Sequence, residues 1–111
     1  MAEYLFSYGT LRESREQNEL FGRRLVGNPD ILNGFRRSEI EITDPGFLSG
    51  GGDKRQQTLV ETSDPADIVE GTVFEVTYDE LLQVDEYEPA EYRRAEVMLA
   101  SGKEAWIYLM A

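Results

Sequence analysis

The chain has 111 residues, of which 22 are acidic and 11 basic, so its formal net charge is −11. It contains no cysteine and no histidine. This excludes disulfides, cysteine or histidine metal ligands, cysteine nucleophiles and every catalytic triad built on histidine. Acid–base chemistry would therefore fall to Asp, Glu, Tyr or Lys.

The size and charge also set expectations about organisation and partners. A chain of this length fits a single domain, which we predict over residues 1–111. A strongly anionic protein repels phosphate backbones and anionic bilayers, so we expect neither nucleic acid nor a membrane as a partner. The start of the sequence lacks the basic and apolar regions of a signal peptide, which favours a cytoplasmic location. A monomer is mildly preferred.

The first elements in chain order are a strand and a short helix. Residues 4–8 are rich in aromatic side chains and predict a strand, which Gly9 ends. Ser14 is predicted as the N-cap of a helix, with Gln17 completing a capping box. Gly22 fits the position that follows the last helical turn.

Short strands and a glycine-rich segment follow. Strands are predicted at residues 24–27, 31–36 and 38–43, the last from alternating polar and apolar side chains. Residues 44–57 are predicted as a mobile loop because they contain a Pro-Gly pair and three consecutive glycines. The glycines could form an anion-binding nest, but without a strand-to-helix context a flexible surface loop is the favoured interpretation.

The second half predicts two strands, a helix and a hairpin. Strands are expected at 59–60 and 69–76, and Thr77 begins the clearest helix, ending near Glu86 or Tyr87. The closing hairpin pairs residues 93–99 with 105–110, and Trp106 and Tyr108 face opposite to Ile107 and Leu109. This order predicts an α+β domain with a small mixed, strongly curved β-sheet or barrel and about two short helices.

The turn after the first strand is one candidate binding site. A strand that runs into Gly9 with a helix soon after lets a ligand approach the backbone closely. The first amides of a helix lack intrahelical partners and suit a carboxylate or another anion. The alternative is a tight turn without a ligand.

Glu88 is the candidate catalytic residue. Pro89 disfavours helical geometry at the residue before it, so we expect Glu88 to leave the helix axis. A helix C-terminus and the carboxylates of Asp85, Glu86 and Glu91 would both raise its pKa. A raised pKa suits a general base working near neutrality. A surface glutamate before a proline is the alternative.

The acidic residues are concentrated in one stretch of the chain. Residues 56–92 contain no Lys or Arg. A solvated acidic face explains most of them, and a protein-interaction surface over residues 61–91 is a further alternative. The stretch holds eleven carboxylates: Glu61, Asp64, Asp67, Glu70, Glu75, Asp79, Glu80, Asp85, Glu86, Glu88 and Glu91.

Four segments together resemble one protein family. Residues 8–11, Tyr-Gly-Thr-Leu, resemble the Tyr-Gly-Ser/Thr-Leu signature of the γ-glutamylcyclotransferase-like superfamily, which includes the AIG2-like and YtfP-like proteins. Residues 84–88 with Tyr92 resemble its Leu-Asp-x-aromatic-Glu signature. Residues 69–76 resemble the preceding Glu-Gly strand, and 106–109 the closing tyrosine strand. The four occur in the family's order across nearly the whole chain.

The resemblance implies a reaction and a site. The reaction is cyclisation of a γ-glutamyl amide or amine to 5-oxoproline, with no cofactor or metal, and Glu88 as the acid/base. Tyr92 and Tyr108 would line the pocket; the alternative is that they pack as ordinary structural residues with hydrogen-bonded hydroxyls. The implied substrate-binding residues are Tyr8, Gly9, Thr10, Leu11, Tyr92 and Tyr108.

One departure from the family concerns the leaving-group side of the substrate. The family often carries a Tyr-Pro segment in its middle, whereas residues 43–47 read Thr-Asp-Pro-Gly-Phe, without the tyrosine. The resemblance therefore leaves the released amine open. It also leaves open a binding module that holds a small amino-acid-like metabolite without turnover.

Overall fold

The computed structural model describes residues 2–9, 12–51 and 54–110. Within them lie seven strands and three short helices, which confirms the predicted α+β class. The elements are β1 (Ala2–Ser7), α1 (Ser14–Phe21), β2 (Val26–Asn33), β3 (Phe35–Glu41), α2 (Pro45–Ser49), β4 (Arg55–Glu61), β5 (Ile68–Thr77), α3 (Tyr78–Tyr87), β6 (Tyr92–Met98) and β7 (Glu104–Met110).

The strands form a curved five-stranded sheet and a separate hairpin. The order in the large sheet is β2-β5-β1-β7-β6, with β1 parallel to β7 and the other pairs antiparallel. The antiparallel β3–β4 hairpin is the second sheet. Curvature brings the edges near each other, since the amide of Ala100, just past β6, donates to the Ile31 carbonyl of β2 at 2.7 Å. No helix in the described ranges is long and apolar enough to span a membrane.

Both faces of the large sheet are covered. Because side chains alternate along a strand, Phe6 of β1 packs on the hairpin side and Leu5 on the helix side. The same alternation in β7 places Ile107 and Leu109 with the first cluster, and Trp106 and Tyr108 with the second, as predicted. β1 and β7 are therefore central strands, and a site at the end of β1 rests on a packed core.

Of the two predicted capping boxes, one is confirmed and the other is wrong. Thr77 and Glu80 form the predicted capping box of α3, with reciprocal hydrogen bonds of 3.1 and 2.9 Å. The capping box predicted at Ser14 and Gln17 is wrong, because Glu13 is the N-cap and makes no side-chain cap bond. Gln17 is buried instead, and its side-chain oxygen accepts the amide hydrogen of Leu25 at 2.8 Å.

The predicted loop at 44–57 is also wrong in part. It contains the single-turn helix α2, for which Asp44 is the N-cap and accepts the Gly46 amide at 3.0 Å. Pro45 occupies the first helical turn, where a missing N–H costs nothing. The strand β4 then begins at Arg55, because the backbone from there pairs with β3.

The separate strands predicted at 24–27 and 31–36 are one strand, β2, followed by a turn into β3. Pro29 lies in the middle of β2, opposite Thr72 of β5. A proline is tolerated there because β2 is an edge strand and pairs on one side only. Its place at the edge is a property of the sheet and cannot be read from the local sequence.

Gly71 of β5 lies against the end of β1. A Cβ at this position would lie 2.5 Å from the Ser7 carbonyl oxygen and 2.7 Å from the Phe6 ring. Gly71→Ala is expected to lower the free energy of unfolding by about 1–3 kcal/mol, because the backbone that leads to Tyr8 must shift. Urea denaturation measures the change.

The matched control for this substitution is Gly9→Ala. It adds the same methyl group where, chain neighbours aside, no atom of the described residues lies within 4 Å. Its unfolding midpoint should stay at the wild-type value. Equal midpoints for the two variants would contradict the close approach at Gly71.

Candidate active site

A cleft of about 560 Å³ opens at the end of β1, between α1, α2, the start of β4 and the end of α3. It brings together every described residue that was predicted for the site. Thr10 and Leu11 lie outside the described residues. The lining residues are Leu5, Phe6, Ser7, Tyr8, Gly9, Arg12, Glu13, Glu16, Phe47, Gly51, Arg55, Gln56, Gln57, Tyr87, Glu88, Tyr92 and Tyr108.

Glu88 caps the C-terminus of α3 and leaves the helix axis there. Its amide still donates to the Val84 carbonyl at 3.0 Å, but its own backbone is extended, with φ −71° and ψ 148°. This is the geometry expected of a residue before a proline, here Pro89. The side chain therefore turns away from the helix and into the cleft.

Burial raises the pKa of the Glu88 carboxyl from its ordinary 4.5 to about 7. Desolvation disfavours the charged form, so the group is half ionised near neutrality. The direction agrees with the sequence-based prediction, but the predicted causes are wrong, because burial produces the shift. Nearby carboxylates are engaged elsewhere: Asp85 pairs with Arg94, and Glu91 bonds with Thr43.

Three tyrosines surround the carboxylate. The Tyr8 hydroxyl donates to the Tyr108 carbonyl at 2.5 Å, and the Tyr92 hydroxyl donates to the Gln57 carbonyl. Burial, with the nearby Glu88 charge contributing, holds the pKa of all three phenols well above their usual range. They therefore stay neutral where Glu88 titrates. Tyr92 and Tyr108 both line the cleft and have bonded hydroxyls, so the two predicted alternatives coexist.

Two arginines fix the carbonyl groups of the Tyr8–Gly9 turn. Arg37 of β3 donates to the Tyr8 carbonyl at 2.7 Å and to the Glu70 carbonyl at 2.9 Å. Arg12 donates to the Gly9 carbonyl through both its amide and its side chain, at 3.3 and 3.2 Å. These bonds hold the turn that leads from the central strand into the cleft.

A family model for the γ-glutamyl cyclotransferase, AIG2-like proteins matches residues 5–111. The match covers the strand that leads to Tyr8, the helix that presents Glu88 and the closing hairpin. The chain belongs to this family. A search of curated protein sequences returned no significant match.

Solved structures share the fold at low sequence identity. A structure described as a γ-glutamyl cyclotransferase superposes with a TM-score of 0.77 and 19% identity, covering 100% of this chain and 68% of its own. The solution structure of an Arabidopsis thaliana protein superposes with a TM-score of 0.73 and 21% identity, covering 99% of this chain and 62% of its own. The crystal structure of an uncharacterised Homo sapiens protein superposes with a TM-score of 0.74 and 22% identity, covering 99% of this chain and 67% of its own. The chain thus spans about two thirds of their length.

Asp85 does not line the cleft but supports it through contacts that the sequence did not reveal. It lies in the segment that resembles the family's second signature, one turn before Glu88. Its carboxylate accepts the Tyr108 hydroxyl at 2.5 Å and pairs with Arg94 at 3.1 Å. Arg94 in turn lies 4.4 Å from the centre of the Trp106 ring. The network fixes α3 to β6 and β7 and so sets where Glu88 emerges.

Metal binding has no support among the described residues. No group of three or more Asp or Glu side chains there is arranged to hold a metal ion.

Gly9 offers a test of close ligand approach. Its φ is not positive, so the turn does not require glycine for its backbone conformation. For the cyclisation proposed below, Gly9→Ala is expected to lower kcat/KM by about 10- to 100-fold, because a methyl group would keep a substrate from the backbone. Unchanged kcat/KM in a stably folded variant would show that no ligand group passes close to Gly9.

Proposed function

We propose that this protein cyclises a small γ-glutamyl amide or amine to 5-oxoproline and releases the amine, with Glu88 as general acid and base. One observation carries the proposal: the Glu88 carboxylate, whose pKa lies near neutrality, projects into a cleft beside the Tyr8–Gly9 turn. A group that is half ionised at working pH can both accept and return a proton.

The reaction needs one proton to be moved and one bond to be exchanged. The substrate's α-amino nitrogen, in its neutral form, attacks the substrate's own γ-carbonyl carbon and closes a five-membered ring. As the ring closes, the Glu88 carboxylate takes one of the two protons of this nitrogen. As the bond from that carbon to the amine nitrogen breaks, Glu88 returns the proton to the departing amine. The atoms balance without water, an oxidant or a metal.

Positioning supplies much of the rate enhancement in such a reaction. The nucleophile is tethered to its target, so the cleft has to fold the substrate into its reactive conformer. We assign the α-amino acid end to the turn of Tyr8 and Gly9 and to Thr10 and Leu11, which follow it in sequence. Tyr92 and Tyr108 line the cleft as neutral groups, so they add no charge beside the reacting carbonyl.

The cleft size restricts the substrate class. A volume of about 560 Å³ lies within the range for small-molecule sites. Phe47 of α2 and Arg55 of β4 line the cleft on the side of the β3–β4 hairpin. We place the released amine against this side, where the family's tyrosine-proline segment is replaced by residues 43–47.

The test is release of 5-oxoproline from a panel of γ-glutamyl amino acids and γ-glutamyl amines. Turnover of at least one compound, with equal amounts of 5-oxoproline and free amine, is the expected result. Calorimetric binding of a panel member without release of 5-oxoproline would favour the binding module and refute the catalytic proposal. Neither binding nor turnover across the panel would refute both.

A further inference from the structure

Two segments far apart in sequence bind each other beside the cleft through their carboxylates. One Asp44 oxygen caps α2, and the other accepts the Ala90 amide hydrogen at 2.8 Å. In return, Glu91 Oε2 accepts the Thr43 amide at 2.5 Å and the Thr43 hydroxyl at 3.0 Å. We call these four residues, Thr43, Asp44, Ala90 and Glu91, the Asp44–Glu91 clamp.

The clamp engages the chain directly after the catalytic candidate. Ala90 and Glu91 are the second and third residues after Glu88, and Tyr92 follows with its own bond to the Gln57 carbonyl. Three consecutive residues are therefore hydrogen-bonded to the other side of the cleft. Their partners are the N-cap of α2, the residue before that cap, and β4. On its other side, Glu88 is held by the last turn of α3.

The clamp also fixes the opposite wall of the cleft. The clamp includes Asp44, the N-cap of α2. Phe47 of α2 lines the cleft together with Gly51, which follows the helix. The same hydrogen bonds thus set the separation between the Glu88 carboxylate and the α2 wall.

We propose that Asp44 and Glu91 are positioning residues for Glu88, holding its segment against the start of α2 so that its carboxylate stays buried in the cleft. This inference rests on the proposed function for its kinetic consequence only, because the position of Glu88 can be measured without turnover.

The clamp stays charged while Glu88 titrates. The bond from the Ala90 amide holds the pKa of Asp44 below its usual range, and the bond from the Thr43 amide does the same for Glu91. The other ionisable groups that line the cleft with Glu88 are Tyr8, Tyr87, Tyr92, Tyr108, Glu13, Glu16, Arg12 and Arg55.

The experiment measures the pKa of Glu88 by carbon-detected NMR of its carboxyl group in the free protein. Glu91→Ala removes the acceptor, so Glu88 should become more solvated and its pKa should fall by about one unit or more. Glu91→Gln removes the same charge but keeps an acceptor oxygen for Thr43. In this variant the pKa of Glu88 should stay near the wild-type value. The comparison of the two variants therefore separates the effect of the lost hydrogen bonds from the effect of the lost charge.

The Glu91→Gln variant fits the site for a second reason. Oε1 of Glu91 is buried and accepts no hydrogen bond within the described part of the chain. An amide nitrogen in its place loses no bond. Glu96→Ala, at an exposed position of β6, is the control for removing a carboxylate outside the cleft lining. An unchanged Glu88 pKa in folded Glu91→Ala would overturn the proposal.

Asp44→Ala provides an independent variant if Glu91→Ala does not fold. It removes the oxygen that accepts from Ala90 as well as the one that caps α2, so the Glu88 pKa should fall here as well; an unchanged value overturns the proposal. If the wild type turns over, Glu91→Ala should lower kcat by about 10-fold with Glu91→Gln restoring it. Absence of wild-type turnover refutes the proposed function, while the NMR titration still decides the clamp.

Discussion

Glu88→Gln is expected to lower kcat/KM for 5-oxoproline release by about 10²- to 10⁴-fold, the usual contribution of a general acid–base residue. The amide keeps the size and polarity of the side chain but can neither accept the α-amino proton nor return it to the amine. Substrate binding should change little, so the loss should fall on kcat. Single-turnover kinetics on the best panel substrate separates the two.

Glu86→Gln is the matched control for this substitution. Glu86 lies on the same helix two residues earlier and is exposed to solvent. The variant removes the same charge from the end of α3 and should keep wild-type kinetics. If Glu88→Gln retained most of the wild-type kcat/KM, or if both variants lost it equally, Glu88 would not be the proton carrier.

Glu88→Gln is also expected to stabilise the fold, and more strongly as the pH rises. The folded pKa of Glu88 is about 7 against an ordinary 4.5, so between these values the native state binds more protons than the unfolded state. The stability that the neutral carboxyl contributes is therefore fully present below pH 4.5, and it is lost as the pH rises through 7. At 1.36 kcal/mol per pKa unit the full cost approaches about 3 kcal/mol.

The measurement is the free energy of unfolding of wild type and variant across this pH range. Near pH 8 the variant should be more stable by about 2–3 kcal/mol, and near pH 4 the two proteins should be equal. Glu86→Gln should show no comparable trend. A Glu88→Gln difference that does not depend on pH would mean that the wild-type carboxyl titrates normally and is not buried.

The parts of the fold that sequence predicts well are those set by neighbouring residues. The capping box of Thr77 and Glu80 and the proline after Glu88 act over three residues or fewer, so α3 and the direction of Glu88 were both predictable. The Asp44–Pro45 start of α2 is an equally local signal, but Pro45 was counted with Gly46 and the later glycines as evidence for a loop.

What sequence did not predict depends on residues brought together by the sheet. Pro29 is compatible with a strand only because β2 is at the edge. The raised pKa of Glu88 was predicted from nearby charges and the helix end, whereas it arises from burial in a cleft lined by β1, β4, β7 and the three described helices. The partners of Asp44 and Glu91 lie more than forty residues away along the chain, beyond any local pattern.

The pH dependence of kcat/KM tests the central claim most directly, because it reports the ionisation of the free enzyme's essential groups. With Glu88 as the base, kcat/KM for 5-oxoproline release should rise with pH through an apparent pKa of about 7, matching the Glu88 value from NMR. A profile that is flat across neutrality, or that rises near the ordinary carboxyl pKa of 4.5, would contradict a buried Glu88 as the group that moves the proton.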